Sequence, residues 1–314
     1  MKKSRNIILK TVLLLFLIMN VVAFFHAYKF THFKDERVAK SKVPQKFSQI
    51  DKMKTLLLGF DYPKPKGTQL PQQKFETVQL QSNKLLETWF INTENSKGTV
   101  VLFHGYGAEK ASMLDKSDEF IKMGYNTVLV DFMGSGNSEG NQTTIGFKEA
   151  ENVKTTFDYL QQKGEDNIYL FGTSMGAVAI MKCLNDYPIQ PKGIIIECPF
   201  GTMYETVCNR FDRMGVPSFP MAGVLLFWGG VQNGFWGFGH NPSEYAKNIN
   251  CPTLLLYGET DKNVLRTEID EIYLNLKGNK TLKVYPKTGH ENYLIKNKTE
   301  WVKDIDAFFH QNDT

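Results

Sequence analysis

The amino-acid sequence predicts a doubly wound, mostly parallel α/β sheet that carries an inserted cap and follows an N-terminal hydrophobic segment. Three observations predict it. From Phe75 onward, short apolar runs bounded by Gly, Pro or Asp alternate with helical stretches, as in a sheet buried on both faces. One junction between run and helix reads Gly172-Thr173-Ser174-Met175-Gly176. Residues 200–249 then break the rhythm with a Gly- and aromatic-rich stretch, and so long a connection in a compact domain is functional, a lid or cap.

The N-terminus comes first. Lys2, Lys3 and Arg5 precede an apolar run, Ile7–Phe25, broken only by Lys10, Thr11 and Asn20. Its length approaches the ~20 residues that cross a hydrocarbon core. Phe24, Phe25, Tyr28, Phe30 and Phe33 then form an interfacial flank. An uncleaved anchor fits this flank; a cleaved signal ending at Val21-Val22-Ala23 is the alternative. Either leaves the body extracytoplasmic, because the Lys/Arg cluster stays inside. Residues 1–46 form the anchor and a basic tether, with ten Lys or Arg against two acidic residues; residues 47–314 form the catalytic domain. A short amphipathic helix is expected at Ser48–Leu58.

Strands are expected at Phe75–Leu80 and Leu85–Ile91, a hairpin around Ser82-Asn83. Others follow at Thr99–Phe103, Asn126–Val130, Ile168–Phe171, Gly193–Ile196, Thr253–Tyr257 and Leu282–Tyr285. Helices fall at Ser112–Met123, Phe147–Gln162, Met175–Asp186, Val264–Leu276 and Thr299–Phe309. Ligands bind outside the carboxyl ends of such strands, so functional residues belong just after them.

Ser174 meets that condition. G-x-S-x-G between strand and helix is a nucleophile elbow, in which glycines permit a sharp turn and a close helix–strand approach. A serine hydroxyl is a weak nucleophile and needs a base that a carboxylate orients. In the chain order serine, acid, histidine, the candidate bases are His240, His290 and His310. His290 lies between the last strand and the last helix. His240 reads as structural and His310 as a surface residue. Asp261 follows a strand in Tyr257-Gly-Glu-Thr-Asp261; its plain alternative is a helix N-cap, and Glu259 is a rival carboxylate. The Met175 N–H and the Tyr106 N–H, the latter in His104-Gly-Tyr-Gly107, are the oxyanion donors. His104 is structural here, and Asp131–Ser138 is scaffold.

HGYG, DFMGSGNSEG, GTSMG, YGETD and GH, in this order over roughly residues 75–310, resemble the α/β-hydrolase superfamily, in particular its serine aminopeptidase-like and esterase-like members. The resemblance implies the α/β-hydrolase fold, a triad of Ser174, Asp261 and His290, and an oxyanion hole at Tyr106 and Met175. Phe132-Met133 replaces a common Arg, and Ala177 a frequent second Gly. The implied activity is hydrolysis of a carboxylic ester or thioester through an acyl-enzyme. A peptidase or amidase on the same triad is the alternative, and Glu197 is the one hint of a charged anchor for a peptide terminus. A non-catalytic member of the fold is a third reading, against which the intact triad speaks.

No cofactor and no metal is implied, and the four cysteines, Cys183, Cys198, Cys208 and Cys251, lack metal-ligand spacing. Outside the N-terminal segment the chain is net acidic, which excludes a nucleic-acid footprint. The expected partners are a small-molecule acyl substrate and, through Ile7–Phe25, a membrane.

Overall fold

The computed structural model describes residues 2–34 and 59–312. The possible helix at Ser48–Leu58 and most of the basic tether lie outside the described residues. Eight strands build one sheet: β1 (Phe75–Gln81), β2 (Leu85–Ile91), β3 (Thr99–Phe103), β4 (Asn126–Val130), β5 (Ile168–Thr173), β6 (Gly193–Glu197), β7 (Thr253–Gly258) and β8 (Lys280–Tyr285). Their order is β1-β2-β4-β3-β5-β6-β7-β8. β2 runs antiparallel to both β1 and β4, and every pair from β4 to β8 is parallel.

The helices are α1 (Lys2–Thr31), α2 (Leu114–Lys122), α3 (Glu149–Gln162), α4 (Met175–Asp186), α5 (Met203–Arg213), α6 (Met221–Asn233), α7 (Arg266–Asn275) and α8 (Lys298–Asn312), besides single turns. Strand alternation sorts them into two layers. Val101 and Phe103 of β3 pack with Val153 and Phe157 of α3, Ala177 and Ile180 of α4 and Ile269 of α7. Val100 and Leu102 face the other way, into Phe120 of α2 and Trp301, Ile305 and Phe309 of α8. All five β3 residues are buried, which is why they read as an unbroken apolar run.

Element boundaries shift where side chains capture backbone. The stretch expected as one helix over Ser112–Met123 opens as a 3₁₀ turn at Lys110–Met113, because the Glu109 carboxylate takes the Ala111 N–H. α3 starts at Glu149 instead of Phe147, since the Glu149 carboxylate holds the N–H groups of Thr144 and Gly146 in a turn. α7 begins after Val264 because Asp261 Oδ1 accepts the Asn263 and Val264 N–H groups.

α1 is long and apolar enough to cross a membrane. Its first half stands clear, with Ile7 through Ile18 exposed. Its second half packs against α6. The chain then docks on the body, where the Phe33 N–H donates to the Asn141 carbonyl at 2.7 Å and the Lys34 N–H to that of Tyr62 at 2.8 Å.

Candidate active site

The strand order turns back on itself at β3, so β4 and β5 diverge there and leave a crevice at the carboxyl ends. Ser174 sits in it. Its φ of 51° and ψ of −109° are a left-handed strain that a non-glycine residue holds only under constraint. The constraints are visible: the Ser174 N–H donates to the Glu197 carbonyl at 2.8 Å, and the flanking glycines remove clashes. A Cβ on Gly176 would lie 2.2 Å from the Phe103 carbonyl oxygen, and one on Gly172 2.6 Å from the Ala177 nitrogen. The elbow thus forms only with glycine at both ends.

His290 brings Nε2 to 3.1 Å from Ser174 Oγ, and its Nδ1 lies 2.7 Å from Asp261 Oδ2. A bonded Nδ1–H donor fixes Nε2 as the atom facing the serine. The loops of acid and base press together at Gly258, where a Cβ would meet the Thr288 and Gly289 carbonyl oxygens at 2.6 Å. Asp261 is buried and uses its other oxygen as a turn cap. That turn precedes the helix, whose N-cap is Leu265, so Asp261 is not the helix N-cap and its second oxygen, Oδ2, faces His290. Glu259 is exposed, and its carboxylate accepts the Lys287 N–H nearby.

Met175 opens α4, so its N–H belongs to the donors that helix geometry leaves unpaired. Among the described residues neither this N–H nor that of Tyr106 finds an acceptor in the chain. A Cβ on Gly105, next to Tyr106, would lie 3.8 Å from that of Ser174. The Tyr106 ring turns away: its O–H donates to the Phe30 carbonyl at 2.7 Å, and its face stacks on the Phe30 ring at 4.6 Å.

Other candidates are scaffold. His104 Nε2 accepts the Phe132 N–H, so Nδ1–H faces the Gly105 carbonyl; burial keeps this ring neutral. His240 is buried between Tyr245 and the Ile145 carbonyl, and burial lowers its pKa to about 4. His310 is exposed on α8. Asp131 holds Lys110 and the Asn137 N–H, filling the space that a Gly136 side chain would need. Glu197 is wholly buried and accepts from Trp301 Nε1 and Thr173 Oγ1, both at 2.8 Å, with Lys116 Nζ at 3.9 Å. Wholly buried among these partners, it offers no exposed oxygen to a peptide amine.

Cys198 is the neighbour that sequence reasoning missed. It follows β6 with φ 41°, is buried, and its sulfur lies with Asp261 and His290 donor atoms within 4.8 Å of one another. Its place just after a strand end was the available signal. Burial opposes charge on His290, but the Cys198 sulfur and the Asp261 carboxylate outweigh it and hold the pKa well above the usual imidazole range. These three residues could also be read as a ligand set, but the short Asp261–His290 bond already occupies Nδ1. All four cysteines are free thiols.

A cavity of about 1140 Å³ opens beside Ser174 and His290. Its walls include Met221, Leu225 and Leu226 of α6, Arg210 of α5, and Val22 and Phe30 of α1. The Arg210 guanidinium lies 4.3 Å over the Phe30 ring.

Comparison with known proteins agrees with this fold. A solved structure of the Pyrococcus furiosus esterase Pf2001 superposes with a TM-score of 0.68 at 21% identity, covering 80% of this chain and 97% of the esterase. The family model described as serine aminopeptidase, S33, matches residues 94–224. The chain is a member of the α/β-hydrolase superfamily. Relatives of this α/β-hydrolase include YqkD of Bacillus subtilis, 22% identical over 73% of this chain and 77% of that protein. The lysophosphatidylserine lipase ABHD12 of Mus musculus is 25% identical over 56% of this chain. The aligned part spans 44% of that lipase. Esterases and lipases among its relatives support a hydrolase activity.

Proposed function

We propose that the protein is a membrane-anchored serine hydrolase that cleaves carboxylic esters through an acyl-enzyme. The observation that carries this reading is the relay Ser174 Oγ, His290 Nε2, His290 Nδ1, Asp261 Oδ2, with separations of 3.1 and 2.7 Å at its two bonds. In the first half-reaction Ser174 Oγ attacks the carbonyl carbon and its proton passes to His290 Nε2. The oxyanion is met by the N–H groups of Met175 and Tyr106, a contribution worth ~2.7–4 kcal/mol per donor. The C–O bond to the alcohol breaks, and the alcohol leaves with the proton from His290. Water then attacks the acyl-Ser174 carbonyl, gives one proton to His290, and releases the acid as Ser174 recovers its hydrogen. Asp261 stays ionised throughout and stabilises the imidazolium.

A thioester would follow the same steps, with a thiol as leaving group. The peptidase reading is weaker, because Glu197, its expected anchor, is spent on Trp301 and Thr173. The β6–β7 connection serves as the cap, with α6 lining the acyl side of the cavity. α1 serves as an uncleaved anchor with the body extracytoplasmic. Cleavage after Ala23 would remove Asn20 and Val22, which bond α6 and line the cavity. Protease added to wall-stripped intact cells digests the body if this orientation holds.

Ser174→Ala tests the chemistry. It is expected to lower hydrolysis of p-nitrophenyl butyrate by about a million-fold, with an unchanged circular dichroism spectrum. Retained turnover by a folded Ser174→Ala protein would remove the proposal.

A further inference from the structure

One wall of the cavity is the anchor helix itself. Val22, Ala27 and Phe30 of α1 face the space that holds Ser174 and His290, across from Leu225 and Leu226 of α6. Three polar bonds lock the two helices. Trp228 Nε1–H donates to Asn20 Oδ1 at 3.1 Å, the Gln232 amide to the Phe24 carbonyl at 2.9 Å, and the Asn233 amide to Thr31 Oγ1 at 3.1 Å. The Phe24 ring meets Trp228 edge-on at 5.2 Å. Asn20, an interruption in the apolar run, is thus the partner of an indole, the kind of polar pairing that fixes helix register in hydrocarbon.

Helix length then sets depth. α1 carries charge at Lys10 and next at Lys29, whose ammonium pairs with Asp61 at 3.2 Å on the body. Between them Thr11–Tyr28 is free of Asp, Glu, Lys and Arg. At ~1.5 Å per residue that span covers about 27 Å, close to a hydrocarbon core of ~30 Å. The part standing clear of the body, Thr11–Ile18, covers only about 12 Å. The remaining span is the stretch that packs on α6 and lines the cavity. If α1 crosses the bilayer at all, α6 and the cavity mouth share its outer leaflet. The surface there suits that depth: α6 has no charged residue, and Phe227, Val231, Phe219 and Trp236 around it are exposed.

We infer that the substrate is a long-chain acyl ester dissolved in the bilayer, which enters sideways into the cavity that α1 and α6 together wall. Its chain lies along Val22 and Ala27, with its carbonyl at Ser174. This rests on Ser174 acting as the nucleophile. The anchor is then a part of the acyl site, and the occupant of the exposed apolar face is the lipid leaflet that α1 traverses.

The test uses the full chain in phosphatidylcholine vesicles. p-Nitrophenyl palmitate is placed either in the protein's own bilayer or in separate protein-free vesicles, and soluble p-nitrophenyl butyrate is measured alongside. Palmitate in the same bilayer is expected to turn over at least about tenfold faster than palmitate supplied separately. Val22→Trp narrows the channel and lowers the palmitate-to-butyrate ratio about tenfold; Val22→Phe is the smaller intrusion if the first variant fails to insert. Leu15→Trp, on the same helix but clear of the body, leaves that ratio at the wild-type value. Equal rates from the two vesicle arrangements overturn the inference, as does a ratio that Leu15→Trp shifts as far as Val22→Trp. Butyrate turnover with either of those results leaves the Ser174 chemistry standing; no turnover of either ester by the wild type removes both.

Discussion

At the sheet end of the cavity, backbone turns hold Ser174, Asp261 and His290 in place, whereas at the opposite wall α1 and α6 meet through apolar side chains and three polar bonds. The first region tolerates almost no change in shape. Gly176, Gly172 and Gly258 each sit where a single added carbon would strike a carbonyl or amide of the neighbouring element. The second region is specified by surface character, and its side chains can change size at the expense of selectivity. In the proposed function, chemistry belongs to one wall and substrate choice to the other.

Variants at the two walls should therefore separate. Asp261→Asn removes the carboxylate that sets the His290 tautomer and is expected to lower kcat about ten-thousand-fold. It also bears on pH. The base works neutral, and its pKa in the folded protein is raised, so kcat/KM should climb through an alkaline limb above the ordinary imidazole value of 6.5. Asp261→Asn should move that limb downward, and Cys198→Ala should move it the same way with a smaller loss of kcat. A limb at or below 6.5 in the wild type would contradict the electrostatics.

Gly176→Ala probes the rigidity of the elbow. Forcing a methyl against the Phe103 carbonyl is expected to destabilise the fold by about 1–3 kcal/mol, read from denaturant midpoints. Activity should fall with it, which a packing change at the other wall would not cause.

Leu225→Trp acts at the other wall. It is expected to shift preference toward shorter esters by about tenfold, with kcat on butyrate nearly kept. Equal slowing of short and long esters would assign Leu225 to packing alone. The smallest effect belongs to Asn20→Ala, which removes the bond to Trp228. It should cost about 0.6 kcal/mol, measured as thermal stability in detergent micelles.

The contrast between the walls also explains what the sequence made legible. Ser174, Asp261 and His290 announce themselves because each must stand just after a strand, and the glycines beside them are dictated by close approach. The strands read correctly as runs because burial on both faces removes alternation, as in Thr99–Phe103. α3 and α7 start two residues later than apolar periodicity predicts, since the captures of backbone N–H groups by Glu149 and Asp261 leave no mark in it. The Cys198 contact joins residues far apart in the chain, and its place just after β6 marks it as near the site without naming its partners. Packing of α1 on α6 was equally hidden, because an apolar helix face reads alike whether lipid or protein covers it.

Mapping the site of covalent reaction weighs the whole chemical reading at once. The full chain, held in phosphatidylcholine vesicles, is treated with a fluorophosphonate and digested, and the adduct is located by mass spectrometry. One adduct is expected, on the peptide that holds Ser174, formed more slowly when p-nitrophenyl palmitate is present in the bilayer. An adduct on any other residue, or labelling that persists in Ser174→Ala, would show that the serine of the elbow is not the nucleophile.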